Sequence, residues 1–192
     1  MPDSIQCTFF LFLSLLLSGI GQTFWMRSER SHRFNTSIDR GRTFRNKRLF
    51  GKNKTWRGFV FMVPATGLSF VLVHLGMSLG LNDGLKMWPL SEFTYFLLGC
   101  WTGFCFMLME LPNSFLKRQF DIHPGEPAQT KIARNLCFVV DQVDSVAGGL
   151  LAICIVVPLP FSTACSLIVL GAVGHYVFNL ILKQFGFRKR AA

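Results

Sequence analysis

Two aspartates, Asp141 and Asp144, stand inside a stretch otherwise suited to hydrocarbon: Leu-Cys-Phe-Val-Val precedes them and Val-Ala-Gly-Gly-Leu-Leu-Ala-Ile-Cys follows Ser145. A carboxylate near the centre of a membrane span costs about 2.5–3.5 kcal/mol on insertion scales, and less near the interface. The i, i+3 spacing places both on one helical face, where bare carboxylates repel. A divalent cation answers both costs, because Mg²⁺ takes carboxylate oxygens together with substrate phosphates. Gln142 lies beside the pair, Ser145 falls on its face, and Gly148 and Gly149 would let another helix or a ligand approach closely. Two other readings stand at this point. If the helix starts later in the chain, both are interfacial acids near its N-terminus; alternatively, the pair is a proton or ion relay.

A second group is the run Arg48-Leu49-Phe50-Gly51-Lys52-Asn53-Lys54-Thr55-Trp56-Arg57-Gly58. Cations neutralise polyphosphate charge, while Thr, Asn and backbone amides orient its oxygens. The order Gly-x-x-x-x-Gly-Lys-Thr is absent, so this is no Walker motif. A polybasic patch for anionic headgroups is the alternative, although such a patch has no need of Asn53, Thr55 or flanking glycines. The third group is Glu110-Leu111-Pro112-Asn113-Ser114-Phe115-Leu116-Lys117-Arg118. Here Pro112 is expected to close or kink a helix, and Asn113 or Ser114 to cap a short one whose free amides offer an anion site. Glu110 would be a further ligand or a partner of Lys117.

These groups need elements to position them, and composition says which kind. Only 16% of the 192 residues are charged, 51% are apolar, and mean hydropathy is +0.39. A soluble domain carries about a quarter charged residues. Apolar runs near the length that crosses roughly 30 Å of hydrocarbon recur. The spacing predicts an all-α polytopic membrane protein forming one domain. Its spans cover about 5–26, 59–80, 91–111, 135–157 and 161–182, with polar segments 27–58 and 112–134 on one side. That layout places 19 of the 20 Lys and Arg on the same side, leaving only Lys86 opposite. The positive-inside rule then sets the N-terminus outside and the C-terminus in the cytoplasm. The net charge of +10 is thereby read as topology, and nucleic acid is not expected as a partner. The six cysteines show no Cys-x-x-Cys spacing and read as small buried hydrophobes. His74, His175 and Asn179 fall within spans and are assigned no chemistry.

The three groups together resemble the CDP-archaeol synthases. Ile38-Asp39, Arg42-Thr43-Phe44-Arg45 and the run 48–58 are similar to that family's first cytoplasmic loop, and Glu110–Arg118 and Asp141-Gln142-Val143-Asp144-Ser145 to its later blocks, in order. Ser114-Phe115-Leu116-Lys117-Arg118 followed by Asp-x-x-Asp also resembles the signature of the wider CTP:phosphatidate cytidylyltransferases. The resemblance implies transfer of CMP from CTP to an isoprenoid ether-lipid phosphate, with Mg²⁺ and release of pyrophosphate, in the cytoplasmic membrane. It implies Asp141 and Asp144 as Mg²⁺ ligands, and Lys54, Thr55 and Arg57, assisted by Asn53, at the CTP phosphates. Ser114, Lys117 and Arg118 would surround the lipid phosphate or the α-phosphate, and Asp39 would be an accessory acid. Phosphatidate or another lipid phosphate is the alternative acceptor; a small transporter and a non-catalytic lipid-binding protein are the readings from other classes. Homodimerisation stays open.

Overall fold

A computed structural model describes residues 1–81 and 84–184. Expectations for Asn82, Asp83 and the basic tail beyond Gln184 lie outside the described residues, as do the side chains of His175, Asn179 and Lys183. Five helices dominate: α1 (Ser4–Arg27), α2 (Trp56–Leu81), α3 (Glu92–Gln119), α4 (Lys131–Val156) and α5 (Phe161–Gln184). The first four are long and apolar enough to cross a membrane, and α5 has a shorter apolar stretch, Phe161–Gly174. Leu68, Leu72, Leu79, Leu97, Ile155 and Val169 point outward and are exposed. That pattern suits a bundle whose solvent is lipid. The protein is an all-α polytopic membrane protein.

Each helix packs against its chain neighbours, and α5 returns to α1, so the five close a ring. Residues Cys7, Phe10, Leu11, Ser14 and Ser18 give α1 one buried face. Phe10 meets the rings of Phe70, Trp88 and Tyr95 edge-on, with centroids 5.0–6.2 Å away. Buried hydroxyls satisfy themselves locally: Thr66 and Thr102 donate to the carbonyls of Met62 and Leu98 at 2.8 and 2.7 Å. Glycines let α3 approach both α2, at Gly99 and Gly103, and α4, at Gly148. A Cβ on Gly148 would stand 2.6 Å from the Cys105 carbonyl oxygen and 2.5 Å from Met109 Cβ. Only glycine permits that contact, and it brings the polar faces of the two helices together one turn further along.

Two expectations change. Pro112 does not end a helix; α3 continues through it to Gln119, as membrane helices permit when neighbours compensate for the missing N–H. No second helix N-terminus therefore arises near Asn113, and the anion site expected from its free amides does not exist. The cysteines are all free, but Cys154 and Cys165 are exposed on the bundle's outside. Lipid charges nothing for an apolar thiol there, so burial is not required of it.

The segment before α2 is the one elaborate connection. It holds a 3-10 turn (Glu29–Phe34) and a two-stranded hairpin, β1 (Thr43–Phe44) and β2 (Lys47–Arg48). Arg45 and Asn46 turn the hairpin with φ of 52° and 61°, the signs a type I′ turn demands. Residues 36–38 then run antiparallel to 54–56, held by Ile38 N–H to Lys54 O at 2.9 Å and Trp56 N–H to Thr36 O at 3.1 Å.

Candidate active site

On α3, Glu110, Asn113 and Lys117 recur at i, i+3 and i+7, hence on one face. On α4, Asp141, Asp144 and Ser145 do the same at i, i+3 and i+4. Facing each other beside the Gly148 contact, they form a continuous polar network. Asn113 Nδ2 donates to Asp141 Oδ1 at 2.6 Å and to Asp144 Oδ2 at 2.7 Å. Lys117 Nζ pairs with both oxygens of Asp141. Asp144 Oδ1 accepts from the Ser145 N–H at 2.7 Å and the Ser145 hydroxyl at 3.1 Å. The same hydroxyl lies 3.0 Å from Glu110 Oε1, and the other Glu110 oxygen pairs with Lys54 Nζ from the polar loop.

The aspartates lie ten and thirteen residues beyond Lys131, the first residue of α4. They are not acids at a helix start, so that alternative fails. The donor set fits a hard cation: both side chains offer only oxygens, gathered by one amide and one ammonium. Among the described residues no third His, Cys, Asp or Glu joins them in a metal-sized cluster. A bound Mg²⁺ would take its remaining ligands from phosphates and water, as Mg²⁺ sites commonly do.

The other predicted residues separate into groups. Arg57 is buried and donates to the Met26 carbonyl and to Ser31 Oγ, clipping the end of α1 and the 3-10 turn to the start of α2. Thr55 is buried in the bridge to Ser37, and Ser114 is buried within α3. Asn53 is exposed on the turn between Gly51 and Lys54, which the Lys54 N–H to Gly51 O bond closes at 3.2 Å. Asp39 is a scaffold. Its carboxylate accepts from the N–H groups of Gly41, Phe50 and Gly51 at 3.0–3.2 Å and from Arg48 Nη2 at 2.6 Å. Burial alone would raise its pKa, but the bonds from Gly41, Arg48, Gly51 and Phe50 outweigh it and hold the group well below the usual carboxylate range.

Arg118 does not join Lys117 at the aspartates. Adjacent helix positions point about 100° apart, and Arg118 turns to the loop, where Nε donates to Phe50 O at 3.3 Å. Sequence reasoning missed Asn113 as the bridge between the carboxylates, Glu110 as the partner of Lys54, and the hairpin. Glu110, Asn113 and Lys117 share a period that would have joined them had Pro112 not been read as a break.

The chain as a whole has relatives among known proteins. The model of the CarS-like CDP-archaeol synthase family matches residues 33–190. The chain belongs to that family. Family membership makes it an enzyme and implies CTP-dependent cytidylyl transfer to an archaeal lipid phosphate. The CDP-archaeol synthase of Methanoculleus marisnigri is 30% identical over 168 residues, spanning 80% of this chain and 88% of that protein. That of Methanocaldococcus jannaschii is 23% identical over 154 residues, spanning 80% and 81%. With the Staphylothermus marinus protein identity is 33% over 98 residues, and the match spans 51% of this chain and 43% of that longer relative. No solved structure matches.

Proposed function

We propose that this family member transfers CMP from CTP to an isoprenoid ether-lipid phosphate, releasing pyrophosphate, at the end of the bundle that carries the polar network. The observation that carries the reading is the unbroken chain Lys54–Glu110–Ser145–Asp144–Asn113–Asp141–Lys117. An anchor or a lipid-binding patch needs no such arrangement. The relatives' shared name favours an isoprenoid acceptor over phosphatidate.

The chemistry needs two anions brought together and a leaving charge neutralised; no protein nucleophile is required. Mg²⁺, when bound by Asp141 and Asp144, supplies charge neutralisation at the phosphate oxygens. Lys117 spans the two roles: it neutralises Asp141 in the resting site and can swing its ammonium to an incoming phosphate. Asn113 fixes the separation of the carboxylates, and Ser145 holds Asp144 against Glu110. Glu110 in turn pins Lys54, which with Asn53 is the loop's contribution to the nucleotide phosphates. Arg57 and Thr55 act one step back, by fixing the loop that carries Lys54. The site lies on the basic side of the bundle, which we assign to the cytoplasm by the positive-inside rule, where soluble CTP meets membrane-bound lipid phosphate.

The test is direct. Purified protein with Mg²⁺, labelled CTP and diisoprenyl or diacyl glycerol phosphate should label the isoprenoid lipid preferentially. Label should vanish with Asp141→Asn and Asp144→Asn while the folded protein persists. No labelling of either lipid by wild-type protein would overturn the reading, and equal labelling would overturn the acceptor.

A further inference from the structure

Against the Gly51–Lys54 turn lies a cavity of about 420 Å³, lined by none of the residues of the polar network. The hairpin and the turn wall it on one side, and the end of α3 with the following loop on the other. Its charged lining is Lys47, Arg48, Lys52 and Arg118 against Asp121 alone. Two of those cations are engaged: Lys47 with Asp121 and the Gln119 carbonyl, both at 2.7 Å, and Arg48 with Asp39. Arg48 Nε, however, is buried without a partner among the described residues, and Arg118 is a second such case. It is only 8% exposed, yet its Nη1 is buried with no hydrogen-bond partner among the described residues. A buried guanidinium with an open donor is costly, and a water, ion or ligand is what completes it.

The wall is built for close approach. Gly51 has φ of 96°, and a Cβ there would stand 2.9 Å from Arg118 Nε and 3.1 Å from Pro124 Cγ. Lys52 projects from the same turn into solvent. The cavity is within the size range of ligand pockets, and its lining includes no Phe, Tyr or Trp on which a base would stack. Cationic and without an aromatic platform, it suits a phosphate chain better than a nucleoside.

We propose that this cavity holds the β- and γ-phosphates of CTP and then the departing pyrophosphate, with Arg118 and Lys52 as its ligands. The proposal rests on the cytidylyl-transfer reading and divides its basic residues. Lys117 and Lys54 stay with the reacting phosphates, and Arg118 serves the leaving group. In the step, an oxygen of the lipid phosphate dianion forms a bond to the α-phosphorus. The bond from that phosphorus to the α,β-bridging oxygen breaks, and its electron pair leaves on pyrophosphate. No proton or further reactant is needed, and total charge is unchanged. Leaving-group charge grows where Arg118 has a donor free, so its interaction strengthens as the bond breaks.

The experiment uses the full chain in detergent with Mg²⁺ and measures inhibition by inorganic pyrophosphate, together with its binding by calorimetry. Arg118→Lys keeps the charge but loses the planar fork; Lys52→Glu reverses an exposed charge that no fold contact depends on. Each should weaken pyrophosphate binding and inhibition about tenfold or more, the range for losing a charge-assisted contact. The KM for lipid phosphate should stay within twofold. Should Arg118→Lys fail to fold, judged by gel filtration and thermal unfolding, Lys52→Glu decides alone. Unchanged pyrophosphate binding in a folded variant overturns the proposal. A rise in lipid KM instead would give the cavity to the lipid headgroup, and overturn it equally. A wild-type protein that labels no lipid yet binds pyrophosphate in an Arg118-dependent way would sink the transferase reading and leave the anion site standing.

Discussion

The two ends of the bundle solve the problem of helix termination with different chemistry. At the end away from the network, neutral hydrogen bonds do most of the closing, beside the Asp3 cap of α1 and a 2.9 Å contact of His74 Nδ1 with Glu92 Oε1. Trp88 Nε1 donates to Pro158 O, and the Tyr95 hydroxyl donates to Trp88 O, both at 2.8 Å. Ser4 meets Ser162 at 2.5 Å, and the Asp3 N–H reaches Lys86 O at 2.8 Å. At the network end the closures are ionic: Lys47–Asp121, Arg48–Asp39, Lys54–Glu110 and Lys117–Asp141. Neutral bonds close an end cheaply and permanently. Ion pairs hold charges that can be re-partnered, which is what the proposed phosphate site would require. The difference teaches where stability and reactivity are kept apart in a small membrane enzyme.

The largest effect should come from breaking the reactive pairs. Asp144→Asn is expected to lower the rate of CDP-lipid formation about 10³-fold, roughly 4 kcal/mol of transition-state stabilisation. Thermal stability should fall only modestly, because the amide oxygen can still accept from the Ser145 N–H while the bond from Asn113 is lost. A folded variant within tenfold of wild type would show that the ionic end is only structural. Asp39 tests the opposite case, an ion pair at the same end that is scaffold. Asp39→Ala should cost about 3 kcal/mol of stability in denaturant unfolding, because the N–H groups of Gly41, Phe50 and Gly51 lose their acceptor. The pH sign follows from its lowered pKa. The native carboxylate protonates below the unfolded one, so its contribution is complete above about pH 4. It is then lost as pH falls through the native value. Wild type should lose stability to acid over that window, and the variant should lack this component. A variant with wild-type stability and lost turnover would return Asp39 to the chemistry.

Next in size is the link between loop and bundle. Lys54→Met and Glu110→Gln, singly and together, should show a coupling of about 1–2 kcal/mol in kcat/KM for CTP. Additive losses would mean that Lys54 is placed by the loop alone and that Glu110 has a separate task.

The contrast between the ends also explains what the sequence could reveal. Membrane class, five apolar helices and the aspartate pair were legible because hydropathy and i, i+3 spacing are local properties. The partnerships were not. That Lys54 meets Glu110 while Arg57 turns to Met26 and Ser31 depends on a loop whose hairpin is turned by Arg45 and Asn46, a pair lacking the glycine that usually marks such a turn. Whether Lys117 and Arg118 share a target depends on α3 remaining helical past Pro112, and that is decided by tertiary packing. Charge counting predicts a side of the membrane and says nothing of a division of labour among the cations on it.

The smallest predicted effect sharpens the comparison from its quiet end. Trp88→Phe keeps an aromatic ring near Phe10 but removes the donor to Pro158 O and vacates part of a buried indole site. One neutral hydrogen bond is worth about 1 kcal/mol net, and the cost should register as a modest drop in thermal stability in detergent. Turnover and the KM for CTP should be unchanged, since no residue of the network touches this bond and the ring of helices separates the two ends. The measurement is therefore a matched pair, unfolding and initial rate on the same preparation. Were Trp88→Phe to slow turnover without lowering stability, the two ends would be coupled along the helices. The separation of a static closure from a reactive one would then have to be abandoned.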